Sequence, residues 1–193
     1  MRKVGLLGGV FDPVHLGHLH IGDGARRKLG LDVVYLIPAG DPPHKSQSPY
    51  AGAEHRLRML RMAIAGNDGF RVMDIELKRE GKSYTAETLA EIRDEFPDWK
   101  LYFIIGGDNL SEILDWKTPE RIFELAEVVL VNRPNMQKNV GEVELPGDVT
   151  AVTLPELDIS SSGIRDYIKE GIPCRYLLPP GVEEYIIENG LYR

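Results

Sequence analysis

A short stretch near the start of the chain, residues 8–18 with the sequence GGVFDPVHLGH, combines residue types that can handle phosphate. Gly8 and Gly9 leave the backbone open to a ligand, because glycine has no Cβ atom in the way. His15 and His18 would share one face if this part of the chain is helical. Two imidazoles on one face could donate hydrogen bonds to phosphate oxygens and stabilise the charge of a transition state.

Other interpretations of this stretch stay open on the sequence alone. A Gly-Gly pair after a strand often forms only a turn, and the histidine pair, with His20 nearby, could instead bind zinc. Two common nucleotide signatures are excluded, because neither G-x-G-x-x-G after the strand nor G-x-x-x-x-G-K-[ST] occurs. The stretch therefore predicts a phosphate site of another kind.

A second candidate phosphate site lies near the other end of the chain, at residues 159–165 with the sequence ISSSGIR. Ser160 and Ser161 stand where a helix is predicted to begin, so hydroxyl and unpaired backbone N–H groups could meet an anion. Arg165 follows Ser161 by about one helical turn and could reach the same phosphates. A serine-capped helix with a surface arginine would explain these residues without any ligand.

Alternating strands and helices must position these two sites. Short β-rich runs predict strands and amphipathic stretches predict helices. The strands are predicted at 3–7, 33–37, 70–75, 101–105, 128–131 and 149–154. The helices are predicted at 16–29, 53–65, 85–96, 161–169 and 182–189. One more helix is predicted to begin with Thr118 as its N-cap and Pro119 as its first residue. Near-continuous apolar strands suit a sheet covered on both faces. The pattern predicts an α/β fold: a Rossmann-like, doubly wound, mainly parallel sheet with helices on both faces and a small helical C-terminal cap.

Composition limits the function classes. A length of 193 residues predicts a single domain, with a C-terminal helical subregion at about 158–193. The net charge of −7 argues against broad DNA binding. The one cysteine, Cys174, excludes a disulfide framework and an all-cysteine zinc site. No apolar run is long enough to span a membrane, and the N-terminus resembles a strand rather than a signal peptide, so we expect a cytoplasmic protein.

The two candidate sites carry a resemblance to a known superfamily. Residues 9–18 resemble the signature G-x-F-D-P-x-H-x-G-H of the nucleotidyltransferases that have an (H/T)-x-G-H motif. Residues 159–165 resemble the superfamily's second signature, I-S-S-T-x-[IV]-R, with Ser162 where threonine is usual. The two signatures together, in this order and at this separation, are highly specific for the superfamily.

Further segments narrow this resemblance and extend it over nearly the whole chain. They resemble the bacterial nicotinate-nucleotide adenylyltransferase family, which makes deamido-NAD⁺ and pyrophosphate from ATP and nicotinate mononucleotide. The segments are 42–45 (PPHK), 83–89 (SYTAETL), 105–108 (IGGD), Trp116, 132–134 (NRP), 177–179 (LLP) and 190–192 (GLY). The departures are small: besides Ser162, Asn135 stands where glycine is common.

The resemblance implies an ATP site and its catalytic residues. His15 and His18 would meet the ATP phosphates, with His18 near the transferred α-phosphate, and Arg165 would help hold the leaving β- and γ-phosphates. These three are the implied catalytic residues. The implied ATP site contains Gly8, Gly9, Phe11, His15, His18, Gly106, Asp108, Ile159, Ser160, Ser161 and Arg165. Gly106 and Asp108 would border the ribose and adenine, although Asp108 could equally cap a helix.

The resemblance also implies a site for nicotinate mononucleotide, made of His44, Lys45, Tyr84, Thr85, Trp116 and Arg133. Lys45 and Arg133 suit the 5′-phosphate, and Trp116 could stack on the ring. A helix opening at Tyr84-Thr85 would offer N–H donors to the carboxylate and so favour nicotinate over nicotinamide. On sequence alone the two cations could be solvated surface charges, Trp116 a core residue, and the Ser/Thr cluster an ordinary helix cap.

The implied reaction is an in-line attack by the mononucleotide phosphate on the α-phosphorus of ATP, without a covalent intermediate. Because the second pKa of a phosphate monoester is about 6, the nucleophile is mostly dianionic at pH 7 and needs no general base. Mg²⁺ would be held mainly by ATP phosphates and water, with no protein metal site. The alternatives are a nicotinamide mononucleotide or phosphopantetheine adenylyltransferase and a non-catalytic nucleotide sensor. We expect no nucleic-acid or membrane partner, and a homo-oligomer stays open.

Overall fold

The computed structural model describes residues 1–41, 50–107, 112–132 and 145–193. Six strands form one sheet in the order β3-β2-β1-β4-β5-β6, and every neighbouring pair is parallel. The strands are β1 (Arg2–Gly9), β2 (Val33–Pro38), β3 (Phe70–Val72), β4 (Trp99–Gly106), β5 (Glu127–Asn132) and β6 (Val149–Thr153). This order is the doubly wound arrangement, which confirms the predicted fold class.

Helices cover both faces of the sheet. They are α1 (Leu16–Leu29), α2 (Ala53–Ala63), α3 (Thr85–Glu95), α4 (Pro119–Leu125), α5 (Ser161–Lys169) and α6 (Val182–Glu188), with a 3₁₀ turn at Glu112–Asp115. One buried cluster joins side chains of α1, α2, α5 and α6, and a second joins those of α3 and α4. The two C-terminal helices therefore share a core with α1 and α2. None of the helices described is both long and apolar enough to cross a membrane.

Several element boundaries differ from the sequence-based expectations. β3 ends at Val72 rather than at residue 75, because it is an edge strand that pairs over only a few residues with β2 before the chain leaves the sheet. Thr118 does not cap α4 with its side chain: it has a φ of 50°, and its hydroxyl donates to the carbonyl of Lys117. The helix still begins at Pro119, because proline suits a first helical position.

The sheet topology places β1 and β4 side by side at its centre. The chain adds β2 and β3 on one side of β1 and then crosses to add β4 on the other side. In open α/β sheets, ligands bind where the strand order reverses in this way, at the carboxyl ends of the strands. β1 ends at Gly9 and β4 ends at Gly106, so both segments predicted to bind nucleotide lie at this reversal point.

Candidate active site

Two cavities open at the reversal point and share a border. The larger has a volume of about 590 Å³ and reaches the first turns of α1 and α5. The smaller has a volume of about 280 Å³ and lies against the start of α3. Both are lined by Leu7, Gly8, Gly9, Val10 and Gly106. A ligand in one cavity would therefore meet a ligand in the other at the ends of β1 and β4.

His15 and His18 lie side by side in the larger cavity, with ring centroids 3.7 Å apart. His15 is the extended residue before α1, so the pair meets at the helix start rather than along one helical face. The backbone N–H of His15 donates to Nδ1 of His18 at 3.2 Å. Because Nδ1 accepts this bond, a neutral His18 carries its proton on Nε2, which makes Nε2 a hydrogen-bond donor.

His15 is a neutral ring at physiological pH. Its side chain is buried, and this burial lowers its pKa to about 4. Its Nδ1 atom is buried and has no hydrogen-bond partner among the described residues. A buried polar nitrogen is costly to leave unpaired, while His15 itself lines the larger cavity. His15 can therefore contribute a hydrogen bond without adding a full charge.

The start of α5 forms the opposite wall of the larger cavity. Ser160 caps the helix, because its Oγ accepts a hydrogen bond from the backbone N–H of Gly163 at 3.1 Å. Ser161 donates its hydroxyl to the carbonyl of Pro13 at 2.9 Å and so ties α5 to the loop after β1. The capping interpretation is therefore confirmed for Ser160. Both serines also line the cavity with Ile159, where first-turn N–H groups of α5 could face an anion.

Arg165 extends from α5 into the same cavity and is held there by the loop after β1. Its Nη1 donates to the carbonyl of Asp12 at 2.7 Å. The centre of its guanidinium group lies 4.4 Å from the ring centroid of Tyr50. These contacts hold the arginine in the cavity that His15 and His18 also line, where it could bind phosphate.

Two charged residues at this loop, Arg56 and Asp12, are buried, and the sequence predicted no role for them. Arg56 is 2% exposed, and its Nη1 donates to the carbonyls of Val10 at 2.8 Å and Ala39 at 2.9 Å. The Asp12 carboxylate is 4% exposed and accepts a hydrogen bond from the Tyr192 hydroxyl. Asp12 and Tyr192 lie in segments that carried the family resemblance, which was the available signal. The signal for Arg56 was a charge on the apolar face of α2.

The smaller cavity contains the described residues predicted to bind the mononucleotide. Tyr84, Thr85 and Trp116 all line it. α3 begins at Thr85, directly after Tyr84, so the predicted helix start is confirmed. The Trp116 ring is half-buried and meets Phe103 edge-on, with ring centroids 6.1 Å apart. Trp116 is thus a wall of the cavity rather than a fully buried core residue.

A polar group at the back of this cavity was missed by the sequence. Burial raises the pKa of Glu76, whose Oε1 accepts a hydrogen bond from the Thr88 hydroxyl at 2.8 Å. Ser83 is 6% exposed, and its hydroxyl has no hydrogen-bond partner among the described residues. Ser83 and Thr88 lie within the SYTAETL segment and could have been noticed there. Glu76 gave no signal, because a glutamate in a polar segment resembles a surface residue.

Four predicted site residues lie outside the part of the chain that the structure describes, and one described residue, Phe11, lines neither cavity. Asp108, His44, Lys45 and Arg133 lie outside the described residues. Phe11 is not among the residues that line the two cavities: its side chain is 2% exposed, and its ring meets the His18 ring edge-on at 4.9 Å. Its place in the structure is behind His18, which it supports.

Comparison with known proteins defines the class of protein first. Residues 6–167 match the family model described as cytidylyltransferase-like, so the chain belongs to this class of nucleotidyltransferases. A "probable nicotinate-nucleotide adenylyltransferase" of Saccharopolyspora erythraea is 41% identical over 192 residues, which are 100% of this chain and 90% of the relative. One of Bacillus licheniformis is 40% identical over 192 residues, 100% of this chain and 99% of the relative. Within its class, the chain therefore belongs to the nicotinate-nucleotide adenylyltransferase family.

The fold agrees with solved structures. The Plasmodium falciparum nicotinic acid mononucleotide adenylyltransferase, solved in complex with NaAD, superposes with a TM-score of 0.83. The superposition covers 100% of this chain and 98% of that chain at 19% sequence identity. At this low identity, the agreement concerns the fold.

Proposed function

We propose that this protein transfers the adenylyl group of ATP to nicotinate mononucleotide and releases pyrophosphate, a step in the biosynthesis of NAD⁺. The observation that carries the proposal is the shared border of the two cavities at Gly8, Gly9 and Gly106. ATP in the larger cavity and the mononucleotide in the smaller would bring the reacting phosphates together at that border. The family membership of the chain supports this assignment of the two ligands.

On the ATP side, His15, His18 and Arg165 are the proposed catalytic residues. His18 would donate from Nε2 to the α-phosphate, and His15 would add a hydrogen bond from a neutral ring. Arg165 and the start of α5 would hold the β- and γ-phosphates that leave. Gly106 and Asp108 are proposed to border the ribose and adenine.

On the mononucleotide side, Trp116 would stack on the pyridine ring. The first-turn N–H groups of α3, after Tyr84, would donate to the nicotinate carboxylate. A nicotinamide group presents its own NH₂ donor at this position, so the same helix start would favour the acid. His44, Lys45 and Arg133 complete the proposed set as binding residues for the rest of the mononucleotide.

The proposed chemistry is a direct displacement at the α-phosphorus. The mononucleotide phosphate attacks, the bond to the β-phosphate oxygen breaks, and pyrophosphate leaves. Because the attacking phosphate is already an anion at pH 7, no residue needs to remove a proton from it. The protein contributes alignment and stabilisation of the charge that develops on the phosphoryl oxygens.

Mg²⁺ is proposed to enter with ATP. Within residues 1–41, 50–107, 112–132 and 145–193, no three His, Cys, Asp or Glu side chains are grouped so as to hold a metal ion. We assign the ligands of the ion to ATP oxygens and water, an arrangement that Mg²⁺ often adopts. When bound, the ion would neutralise charge on the phosphates of ATP.

The whole chain is proposed to act as a single unit. We treat residues 1–193 as one nucleotidyltransferase domain, because α5 supplies Arg165 to a cavity whose other wall is α1. A cytoplasmic location is proposed, with ATP and nicotinate mononucleotide as the partners and with no nucleic acid or membrane among them.

A stereochemical experiment tests the proposed displacement. ATP carrying sulfur at the α-phosphorus in one known configuration is used as donor to nicotinate mononucleotide. A single in-line attack inverts the configuration in the dinucleotide product. Retention would contradict the proposal, because it indicates two successive displacements through a covalent intermediate.

A further inference from the structure

The last but one residue of the chain reaches the loop that carries the phosphate site. The hydroxyl of Tyr192 donates to Oδ1 of Asp12 at 2.6 Å, although the two residues are 180 positions apart. The same carboxylate accepts the backbone N–H groups of Tyr50 at 2.7 Å and Ala51 at 3.1 Å. Asp12 is 4% exposed and Tyr192 is 7% exposed. We call Asp12 and its partners Tyr50, Ala51 and Tyr192 the Asp12 network.

The Asp12 network holds Arg165. The carbonyl of Asp12 accepts the hydrogen bond from Nη1 of Arg165, and the ring of Tyr50 lies against the guanidinium group. Both contacts that orient the arginine therefore come from residues joined through the Asp12 carboxylate. A shift of Asp12 would move the acceptor of Arg165 and its stacking partner together.

The backbone at both ends of this connection has an uncommon conformation. Phe11, next to Asp12, has a φ of 53°, and Tyr192 has a φ of 65°. Residues with a side chain rarely adopt this left-handed region, and they keep it only where surrounding contacts hold them. The hydrogen bond between Tyr192 and Asp12 is one such contact, and it joins one strained residue, Tyr192, to the neighbour of the other, Phe11.

We propose that Tyr192 is a positioning residue for adenylyl transfer: its hydroxyl fixes Asp12, and Asp12 in turn orients Arg165 on the ATP phosphates. This inference rests on the proposed function, in which Arg165 binds the leaving phosphates. Without the hydroxyl, the buried carboxylate loses a donor, and the loop around it rearranges to recover one. Burial and the bond to Asp12 raise the pKa of Tyr192, so the hydroxyl stays protonated as a donor.

The test is Tyr192→Phe, which keeps the ring and removes only the hydroxyl. We expect kcat to fall about 10-fold, because small misplacements of a phosphate-binding group are costly for the reaction. The Kd of ATP, measured by calorimetry without acceptor, should rise roughly 5-fold. The KM of nicotinate mononucleotide should stay within about two-fold, because that ligand would bind in the other cavity.

Tyr185→Phe is the matched control. The Tyr185 hydroxyl lies 2.8 Å from Nδ1 of His55 and joins α6 to α2 without touching the Asp12 network. Loss of the Tyr185 hydroxyl should lower the melting temperature about as much as loss of the Tyr192 hydroxyl does. It should leave kcat and the Kd of ATP unchanged. If Tyr192→Phe behaves in the same way as this control, Tyr192 is merely structural and the proposal is wrong.

A double-mutant cycle with Arg165→Ala tests the route through the arginine. If Tyr192 acts through Arg165, Tyr192→Phe should change kcat by less than about two-fold in the Arg165→Ala background. An undiminished 10-fold loss in that background would overturn this route. If the wild-type protein fails to make the dinucleotide, the proposed function fails, but the ATP titrations of the Tyr192 and Tyr185 variants still decide the role of Tyr192.

Discussion

His15 and His18 contribute differently to the larger cavity, although the sequence presents them as a pair. His15 is buried and neutral, whereas His18 is half-buried and has its donor nitrogen defined by the backbone of His15. The sequence predicted which residue types would meet phosphate. It could not predict their division of roles, because the pKa of an imidazole depends on burial and neighbours that only the fold supplies.

His18→Ala should lower kcat by about 10²–10³-fold with a smaller effect on ATP binding, which is the pattern for a donor that acts in the transition state. Steady-state kinetics and an ATP titration measure the two effects separately. His55→Ala is the control, because His55 contacts Tyr185 and lines neither cavity. An unchanged kcat in His18→Ala would remove His18 from the mechanism.

His15 should make the ligand-free protein less stable in acid. Its pKa is about 4 in the folded state and 6.5 in the unfolded state, so the unfolded chain binds more protons between these values. Stability therefore rises with pH through this window and is lost as the pH falls from about 6.5 to about 4, by up to about 3 kcal/mol from this group. Urea unfolding at several pH values measures the change.

His15→Gln is the variant to compare in this experiment. Glutamine cannot gain a proton in this range, so the free energy of unfolding should depend less on pH than in the wild type. Parallel pH profiles for the two proteins would show that His15 does not carry the effect.

At the scale of elements, the starts of the helices next to the cavities were predicted well. α1, α3 and α5 begin where the sequence placed them, because apolar periodicity and local capping signals determine these positions. The predicted end of β3 was wrong, and Thr118, although it is the N-cap residue of α4, does not cap the helix with its side chain. Both depend on what lies beside the segment in the sheet or in the preceding turn, and a local pattern does not contain that information.

Gly8→Ala should impair activity while leaving stability nearly unchanged. A Cβ at Gly8 would have no atom within 4 Å, so the fold can accept it. The methyl group would nevertheless occupy the border of the two cavities, where the reacting phosphates are proposed to meet. We expect kcat/KM to fall roughly 10-fold or more, because the phosphates can no longer align.

Gly22→Ala is the matched substitution in the core. A Cβ at Gly22, within α1, would lie 2.7 Å from Cε1 of the buried Phe70 ring. We expect a net destabilisation of about 1 kcal/mol, because crowding outweighs the gain in helix propensity. Thermal unfolding and kinetics of both variants check the contrast. If Gly8→Ala retains full activity, the proposed meeting point of the phosphates is wrong.

At the scale of the whole molecule, the fold class followed from the alternation of strands and helices. The candidate site followed from two signatures at opposite ends of the chain, which the structure brings together around one cavity. Contacts such as those of Tyr192 with Asp12 and of Arg56 with Val10 could not be predicted. These contacts depend on how distant segments of the chain pack. Neither tyrosine nor arginine has a strong preference that would indicate its partner.

The central claim is that nicotinate mononucleotide, which is proposed to bind in the smaller cavity, is the acceptor of the adenylyl group. The most direct measurement is pyrophosphate release from ATP and Mg²⁺ with nicotinate mononucleotide, nicotinamide mononucleotide or phosphopantetheine as acceptor, with His18→Ala as the background. We expect the highest kcat/KM with nicotinate mononucleotide, by roughly 10-fold or more over the amide. An equal or higher value with either of the other acceptors, or no turnover with any of them, would contradict the account.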